Sequence, residues 1–356
     1  MSWEDRVRKV VPYIPGEQPK DDHKVIKLNT NEMPYPPSPK VSEALARFDA
    51  ESLRLYPAPD VGPLRDALAK RYGVAGDEVF VGVGSDDVLA TAFLTFFYSD
   101  KPVLFPDITY SFYDVWCDVY RIPYETKKLD EDYHIVKSDY LIENGGIVIA
   151  NPNAPTGISE GEDIDFIEDI VKANPESVVI VDEAYVDFGG VSALPLINKY
   201  DNVLVVRTFS KSRAFAGMRI GFALGNSRLI RYMNDVKYSV NSYTMNRPAI
   251  ELGIAALSDE EYYSRTVSQV VKTREWTKKE LKARGFSVTD SKTNFVFAAP
   301  PADNVSAKDL FFGLKQKNIY VRWWDKDRLR DRLRISVGTD EEMQALITAI
   351  DEIMAG

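Results

Sequence analysis

Short apolar runs alternate with amphipathic stretches through the middle of the chain, and this alternation is the strongest constraint on its fold. The runs are predicted strands, and they read EVFVGVGS, KPVLFP, GGIVIANPN, SVVIVDEAY, NVLVVRTFS and MRIGFALGN. Between several of them lie helical patterns such as SDDVLATAFLTFF and EDIDFIEDIVKAN. Strands that are apolar on both faces and separated by helices predict an α/β fold with a mostly parallel sheet.

The pattern changes after about Tyr238, where a second unit begins. A long helical stretch, RPAIELGIAALSDEEYYSRTVSQVVKTREWTKKELKARGF, comes first. It is followed by the predicted strands NFVFAAP, IYVRWWD and RLRISVG, with the helical patterns SAKDLFFGLKQKN and DEEMQALITAIDEIMA around them. This mixture predicts a smaller α+β domain, and two domains suit a chain of 356 residues. We predict an N-terminal arm (1–37) that packs with the small domain, a large domain (38–240) and a small C-terminal domain (241–356).

Composition excludes several classes of protein. A net charge of -10 argues against a nucleic-acid-binding protein, which needs a basic face. Cys117 is the single cysteine, so no internal disulfide can form and a reducing compartment is expected. The two histidines, His23 and His134, lack a second ligand at metal spacing, so neither a metal site nor a histidine-based triad is expected. No apolar stretch reaches the ~20 residues that span a bilayer, and the charged opening MSWEDRVRKV is not a signal peptide. We expect a cytoplasmic protein.

Ligands of open α/β sheets bind at the carboxyl ends of the strands, so the residues at these ends carry the functional argument. Four ends are unusual, namely VGVGSDD, NPNAPTG, VDEAYVDF and RTFSKSRAFAGMR. In the first, the backbone N–H groups of a helix start and the Ser85 hydroxyl would form an anion cup. The third places Asp182 after a very apolar strand, where a carboxylate needs a cation. The fourth contains Lys211 and Arg219.

Each of these segments alone also has an ordinary explanation. Ser85 or Asp86 would serve as a helix N-cap, the proline-rich loop as a turn, and Lys211 as a surface side chain. The whole set matches the needs of pyridoxal 5′-phosphate, which has an aldehyde for a lysine, a ring nitrogen for a carboxylate and a phosphate for a helix N-terminus. A lysine that attacks an aldehyde must be neutral, and a nearby cation such as Arg219 favours that form.

Ten segments in this order resemble the fold-type I pyridoxal-phosphate-dependent aminotransferases and, among them, the histidinol-phosphate aminotransferase family. They are LNTNEMPYPP, RLYPAPDVGPLRDALAKRYG, VGVGSDD, FPDITYSFY, NPNAPTG, DEAYVDF, RTFSKSRAFAGMRIGF, TNFVF, VRWWD and LRISVGT. The resemblance covers nearly the whole chain. It implies a seven-stranded, mostly parallel sheet flanked by helices in the large, cofactor-binding domain, and a homodimer with shared active sites.

For the cofactor, the resemblance implies a Schiff base (an internal aldimine) with Lys211, which then shuttles a proton between the substrate's Cα and the cofactor. Asp182 is implied to pair with the ring nitrogen, and Tyr185 to bond the phenolic oxygen. The remaining implied contacts are stacking by Tyr110, phosphate binding by Ser85, Asp86, Ser210 and Arg219, and a phosphate contact from the partner subunit's Tyr56.

On the substrate side, the resemblance implies that Arg334 binds a carboxylate, for which its planar fork is suited. Arg322 adds a second anionic contact, and Tyr13 and Asn31 line the site. Histidinol phosphate carries a phosphate and glutamate two carboxylates, so two arginines would serve both in a ping-pong cycle. The implied reaction converts histidinol phosphate and 2-oxoglutarate into imidazole acetol phosphate and glutamate. An aromatic amino acid aminotransferase and a threonine-phosphate decarboxylase remain alternatives, because both need the same residue types.

The loop NPNAPTG departs from the family pattern. The family has Asn-Pro-Thr-Gly here, and its asparagine amide bonds the cofactor's phenolic oxygen, whereas this chain has Ala154. Either Asn153 turns in to bind the cofactor instead, or Tyr185 holds that oxygen alone. The pair Trp323 and Trp324 either packs in the core or an interface, or walls the substrate ring.

Overall fold

A sheet of seven strands forms the centre of the computed structural model, which describes residues 2–19 and 25–356. In chain order the described strands are β1 (Ile26–Lys27), β2 (Val79–Gly82), β3 (Val103–Pro106), β4 (Tyr124–Lys127), β5 (Gly146–Ala150), β6 (Val179–Asp182), β7 (Val203–Thr208), β8 (Gly221–Gly225), β9 (Ser287–Val288), β10 (Phe295–Ala299), β11 (Ile319–Tyr320) and β12 (Leu333–Ser336). The described α-helices are α1 (Pro39–Ala46), α2 (Gly62–Tyr72), α3 (Gly84–Phe96), α4 (Tyr113–Tyr120), α5 (Asp165–Ala173), α6 (Ser227–Val240), α7 (Arg247–Leu257), α8 (Glu260–Ala283), α9 (Ala307–Gln316) and α10 (Asp340–Ala355).

The strand order of the large sheet is β2-β8-β7-β6-β5-β3-β4. Strands β3 to β7 run parallel to one another, and β8 is antiparallel to both β2 and β7. Every residue of β2, β3 and β5 to β8 is buried, which explains the continuous apolar runs in the sequence. The predicted α/β fold with a mostly parallel sheet is confirmed.

Helices cover both faces of this sheet. On one face α3, α4 and α6 pack in a core cluster that includes Phe93 and Met233. On the other face α2, α5 and α7 pack in a cluster that includes Leu64 and Ile170. Cys117 belongs to the first cluster and is fully buried, as predicted, and burial raises the pKa of its thiol to about 12.

The C-terminal part of the chain forms a second sheet, in which β10 lies between β12 and β9 and pairs with both in antiparallel fashion. The N-terminal segment joins it, because β1 pairs with β11 and the Ser336 N–H donates to the Leu28 carbonyl. Helix α7 packs against α1 and α2, although the predicted boundary at 240/241 assigns it to the small domain. The three-part domain division stays a prediction. In residues 2–19 and 25–356, no helix has both the length and the apolar content that crossing a bilayer requires.

Candidate active site

The carboxyl ends of β5, β6 and β7 meet the start of α3 around one cavity. Their register brings this about, since Ala150 is paired with Asp182, and Asp182 with Val206, on adjacent parallel strands. The residues that line the cavity are Ser85, Asp86, Tyr110, Ala150, Pro152, Ala154, Asp182, Ala184, Tyr185, Ser210, Lys211 and Arg219. All four chemically unusual segments of the sequence therefore contribute to the same cavity.

Asp182 is the buried acid of this cavity, with only 5% of its surface exposed. Its Oδ2 accepts a hydrogen bond from the Tyr113 hydroxyl (2.8 Å) and its Oδ1 accepts one from the Ala184 N–H (3.1 Å). Burial raises the pKa of Asp182 to about 6, although these two donors act in the opposite direction. Among the described residues no lysine or arginine forms an ion pair with it. Its carboxylate is thus available to a cation inside the cavity.

Lys211 lies in the loop that follows β7. Two local hydrogen bonds fix the loop, because the Ala214 N–H donates to the Lys211 carbonyl (3.0 Å) and the Ser210 N–H to the Thr208 hydroxyl (3.1 Å). The Lys211 Nζ lies 5.5 Å from the centre of the Tyr185 ring. This loop holds the amine inside the cavity, on the same sheet edge as the buried acid.

A network of charged side chains connects this loop to the sheet. Ser212 donates a hydrogen bond to Asp187, whose carboxylate lies 3.5 Å from the Arg207 guanidinium. Arg207 in turn pairs with the fully buried carboxylate of Glu183 at 2.7 Å. Paired and hydrogen-bonded charges of this kind hold their segments in one arrangement, so the residue next to Lys211 is anchored to the sheet.

An anion cup forms where α3 begins. Gly84 has a φ of +82°, and a Cβ there would lie 2.5 Å from the Arg219 Nη2, so glycine lets the arginine approach the helix N-terminus. Arg219 donates to the Ser210 hydroxyl (3.2 Å) and pairs with Asp86 (3.1 Å). Tyr110 also donates to Asp86 (2.7 Å). The Asp86 carboxylate therefore orients the arginine and the tyrosine, while the helix N–H groups remain the anion donors.

A wider cleft opens beside the cavity and is lined by Tyr13, Asn31, Arg322, Trp324 and Arg334 together with Lys211 and Tyr185. Arg334 is partly buried and donates to the Asn29 carbonyl (2.7 Å), but its Nε has no hydrogen-bond partner among the described residues. Burial lowers the pKa of this guanidinium. Arg322 donates to the carbonyls of Ile14 and Pro15 (3.2 and 3.3 Å). A partly buried guanidinium whose buried Nε has a free donor is suited to an anionic ligand.

The two tryptophans have different surroundings. Trp323 packs with the C-terminal core and donates to the Arg330 carbonyl (2.8 Å). Trp324 lies in the cleft, with the guanidinium carbons of Arg322 and Arg334 at 5.3 and 5.4 Å from its ring. Trp324 is therefore the one of the pair that can wall a ligand.

Comparison with known proteins identifies the family. A family model described as aminotransferase class I and II matches residues 23–350. The chain belongs to this family. The cofactor of the family is pyridoxal 5′-phosphate, in agreement with the sequence-based prediction.

Curated aminotransferases closely resemble the chain along its whole length. It is 49% identical to the histidinol-phosphate aminotransferase of Lactococcus lactis subsp. cremoris strain MG1363, over 99% of this chain and 98% of that one. It is 48% identical to the enzyme of the same name from Clostridium botulinum strain Okra, with the same coverage. A solved histidinol-phosphate aminotransferase from Sinorhizobium meliloti, in complex with pyridoxal-5′-phosphate, shares the fold with a TM-score of 0.84. That likeness covers 93% of this chain and 92% of that one at 24% identity.

Two predicted cofactor contacts of this aminotransferase lie outside its own cavity. Asn153 is buried in its loop, where its amide nitrogen donates to the Ile108 carbonyl (2.9 Å) and its amide oxygen accepts from Thr109 (2.8 Å). In this structure both ends of the Asn153 amide are thus engaged with neighbouring loops rather than turned toward the cavity, and a cofactor contact from Asn153 stays a prediction. Tyr56 is 77% exposed and its ring packs on Tyr243, with centroids 4.5 Å apart.

Tyr113 is the site residue that sequence reasoning missed. It lies in the run YSFYDVWCDVY, whose many aromatic residues predict only a packed helix. Its position three residues after Tyr110, at the start of α4, is the signal that could have placed it near the same cavity, since a turn joins the two and the Tyr113 N–H donates to the Tyr110 carbonyl (3.2 Å). For the described residues, no group of three or more metal-ligating side chains is present, and His23 lies outside them.

Proposed function

We propose that this aminotransferase transfers the amino group of histidinol phosphate to 2-oxoglutarate, giving imidazole acetol phosphate and glutamate in histidine biosynthesis. The relatives at 48–49% identity carry this activity in their names. The observation that carries the proposal is the cleft beside Lys211, in which Arg322 and Arg334 face a common space and the Arg334 Nε lacks a partner among the described residues. Two guanidinium groups match a phosphate on one substrate and a second carboxylate on the other.

The residues of the cavity suit pyridoxal 5′-phosphate. Asp182 is a buried carboxylate without an ion pair in the described part of the chain, and a protonated ring nitrogen would form an ion pair with it. The cup at Gly84, with Arg219 and Ser210, supplies donors for a phosphate. When bound, the cofactor supplies an aldehyde that bonds covalently to amines and a ring that withdraws electrons from the substrate.

The chain's own residues would then divide the work. Lys211 holds its amine in the cavity and moves the proton at the substrate's Cα. A cation beside Asp182 lowers the pKa of this acid again, so the acid stays ionised and keeps the ring nitrogen protonated. Arg334 and Arg322 orient the substrate by its anionic group, and Trp324 excludes water from one side of the cleft.

Kinetics on substrate pairs test this function. Histidinol phosphate should show a much higher kcat/KM than histidinol, because without the phosphate an arginine that the bound substrate covers is left unpaired, at a cost of about 2–5 kcal/mol. Arg334→Gln should remove most of the activity. Arg330→Gln is the matched control, because this side chain is 60% exposed, and the change should leave kcat and KM unchanged.

Equal kcat/KM values for the two amines would overturn the proposal and favour an aromatic amino acid aminotransferase. Phenylalanine is then the donor to compare. Release of carbon dioxide from threonine phosphate, without formation of glutamate, would instead support the decarboxylase alternative. The absorbance change of the enzyme-bound cofactor on mixing with each amine, before any acceptor is added, reports which amines react.

We further propose that the active unit is a cytoplasmic homodimer with shared sites. The single, buried cysteine supports the reducing location. The exposed Tyr56 supports the dimer, since Arg247 holds its carbonyl (2.9 Å) and that of Leu55 (3.1 Å) and thereby presents the ring outward. In a twofold dimer each chain would lend this tyrosine to the site of its partner.

Mixed dimers test the sharing of sites. Lys211→Ala and Tyr56→Ala are each expected to impair activity, and refolding the two together forms dimers in which one site carries both defects. The other site then has a native lysine and a native tyrosine, so activity should rise above that of either parent. If mixed dimers form and activity does not rise, Tyr56 does not act across the interface.

A further inference from the structure

The loop that carries Ala154 leaves the cavity without one hydrogen-bond donor. The alanine lines the cavity with a methyl group, and its neighbour Asn153 has both ends of its amide engaged within the loop. Tyr185 and Tyr110 both line this cavity and the cleft beside it, but the Tyr110 hydroxyl already donates to Asp86. The direction in which the Tyr185 hydroxyl donates therefore decides whether a hydrogen-bond acceptor in the cavity receives a bond from it.

Asn31 contacts that hydroxyl directly. Its Nδ2 lies 2.9 Å from the Tyr185 oxygen, and both residues are buried. The backbone of Asn31 has a φ of +56°, and its carbonyl accepts a hydrogen bond from the Asn294 amide (2.9 Å). Ser336 binds it twice, accepting from the Asn31 N–H (2.8 Å) and donating to its Oδ1 (2.9 Å).

These bonds favour one orientation of the Asn31 amide. The Ser336 oxygen accepts from the Asn31 N–H, and the acceptor that the described residues offer to the serine hydrogen is the Asn31 Oδ1. With the amide flipped, its NH₂ group would face the serine and that hydrogen would lose its acceptor. The amide oxygen is thereby held on the serine side, which leaves the NH₂ group facing Tyr185. Because an amide nitrogen has no acceptor capacity, the Tyr185 oxygen accepts this bond and its own hydrogen stays available for the cavity.

We propose that Asn31 is a positioning residue that sets Tyr185 as a donor toward the cofactor's phenolic oxygen and compensates for the amide missing at Ala154. This inference rests on the proposed binding of pyridoxal 5′-phosphate in the cavity. It gives Asn31 a second role beside the substrate contact predicted from the sequence. The family pattern places an amide donor on the loop after β5, and under this proposal a pair that bridges the N-terminal segment and the loop after β6 takes its place.

The test uses the holoenzyme without substrate and follows the visible absorbance of the bound cofactor against pH. The nitrogen that links Lys211 to the bound cofactor would carry a titratable proton next to the phenolic oxygen. Once that proton has left, hydrogen-bond donors of the protein are what stabilise the negative charge on this oxygen. Loss of a donor therefore raises the pH midpoint. Asn31→Gly is the main variant, because glycine adopts the positive φ without strain.

Asn31→Gly should raise the midpoint by roughly one pH unit, the size expected for one hydrogen bond to a charged oxygen. Tyr185→Phe should raise it at least as much. Ala154→Asn should lower the midpoint in the native chain and restore it in the Asn31→Gly background. Asn29→Ala is the matched control, since this buried amide bonds the Glu17 carbonyl (2.7 Å), and it should leave the midpoint unchanged.

The variants leave the other charged and titratable groups around the Tyr185 ring in place, namely Lys211, Asp182, Tyr110, Tyr113 and Arg334. The proposal is overturned if Tyr185→Phe shifts the midpoint and Asn31→Gly does not, or if Asn29→Ala shifts it equally. It is also overturned if Ala154→Asn restores nothing. The readout precedes substrate addition, so a wrong substrate assignment leaves it intact, and a protein that binds no cofactor is recognised by the absence of the absorbance band.

Discussion

Asp182→Asn should make the cofactor-free protein more stable at neutral pH, even though it removes the acid that the cofactor needs. The native carboxylate is 5% exposed, and burial raises its pKa to about 6 from an ordinary value of 3.8. Between these two values the folded chain binds the proton more tightly than the unfolded chain does. The free energy of unfolding therefore falls as the pH rises through this window, and the full penalty is present above pH 6.

A shift of about two units corresponds to a penalty of about 3 kcal/mol. Asparagine has the shape of aspartate without its charge, so it keeps an acceptor for the Ala184 N–H and places a donor beside the Tyr113 oxygen. At pH 7.5 the variant should gain up to about 3 kcal/mol in the free energy of unfolding. Once the cofactor is added, the order should reverse, because only the native acid pairs with the ring nitrogen, and turnover of the variant should fall by several orders of magnitude.

Urea unfolding of both cofactor-free proteins, followed by circular dichroism at equal protein concentration, measures the difference. Asp66→Asn is the matched control, because this carboxylate is 65% exposed and its change should alter the free energy by less than about 0.5 kcal/mol. A variant no more stable than the native protein at pH 7.5 would refute the reasoning. It would show that the Tyr113 and Ala184 donors already offset the cost of burial.

Three further predictions concern the same cavity. Lys211→Ala should abolish the covalent fixation of the cofactor by borohydride, and fixation that persists would identify another lysine. Tyr113→Phe removes a donor to Asp182 and should weaken cofactor binding roughly tenfold. Tyr140→Phe is its control, since this buried hydroxyl has no partner among the described residues, and a similar loss there would contradict the role of Tyr113. Gly84→Ala forces a side chain onto a φ of +82° and displaces the arginine of the anion cup. It should likewise weaken cofactor binding about tenfold, which titration of the cofactor-free protein measures.

The sequence predicted most of the fold because most strands are buried on both faces. All nine runs read as strands contain one. The strand β4 was missed because it lies at the sheet edge with the polar sequence YETK. The two-residue strands β1 and β9 were missed because, unlike β11, they do not open a longer apolar run. The single helical stretch predicted from 247 to 286 is two helices, since Asp259 caps the start of α8.

The site was predictable where it depends on strand ends and was missed where it depends on distant contacts. Parallel strands bring their carboxyl ends to one edge, so Asp182 and Lys211 could be placed together without knowing any side-chain geometry. The contact of Asn31 with Tyr185 arises from an N-terminal segment that returns to the sheet edge, and its positive φ leaves no mark in the sequence. Tyr113 was not recognised in its aromatic run, because a tyrosine that donates to a buried acid and a tyrosine that only packs look the same in a sequence.

Asn31 and Ser336 are separated by 305 residues along the chain, yet each needs the other to hold the amide in place. The strands that form the cofactor cavity, β2 to β8, are complete once residue 225 has been synthesised. During translation, the large sheet can therefore form while the N-terminal segment still lacks its partner strands β11 and β12. Under this order of events, the strands around the cofactor cavity form first. The side of the cleft that Asn31 lines forms last, after β11 and β12 have been synthesised.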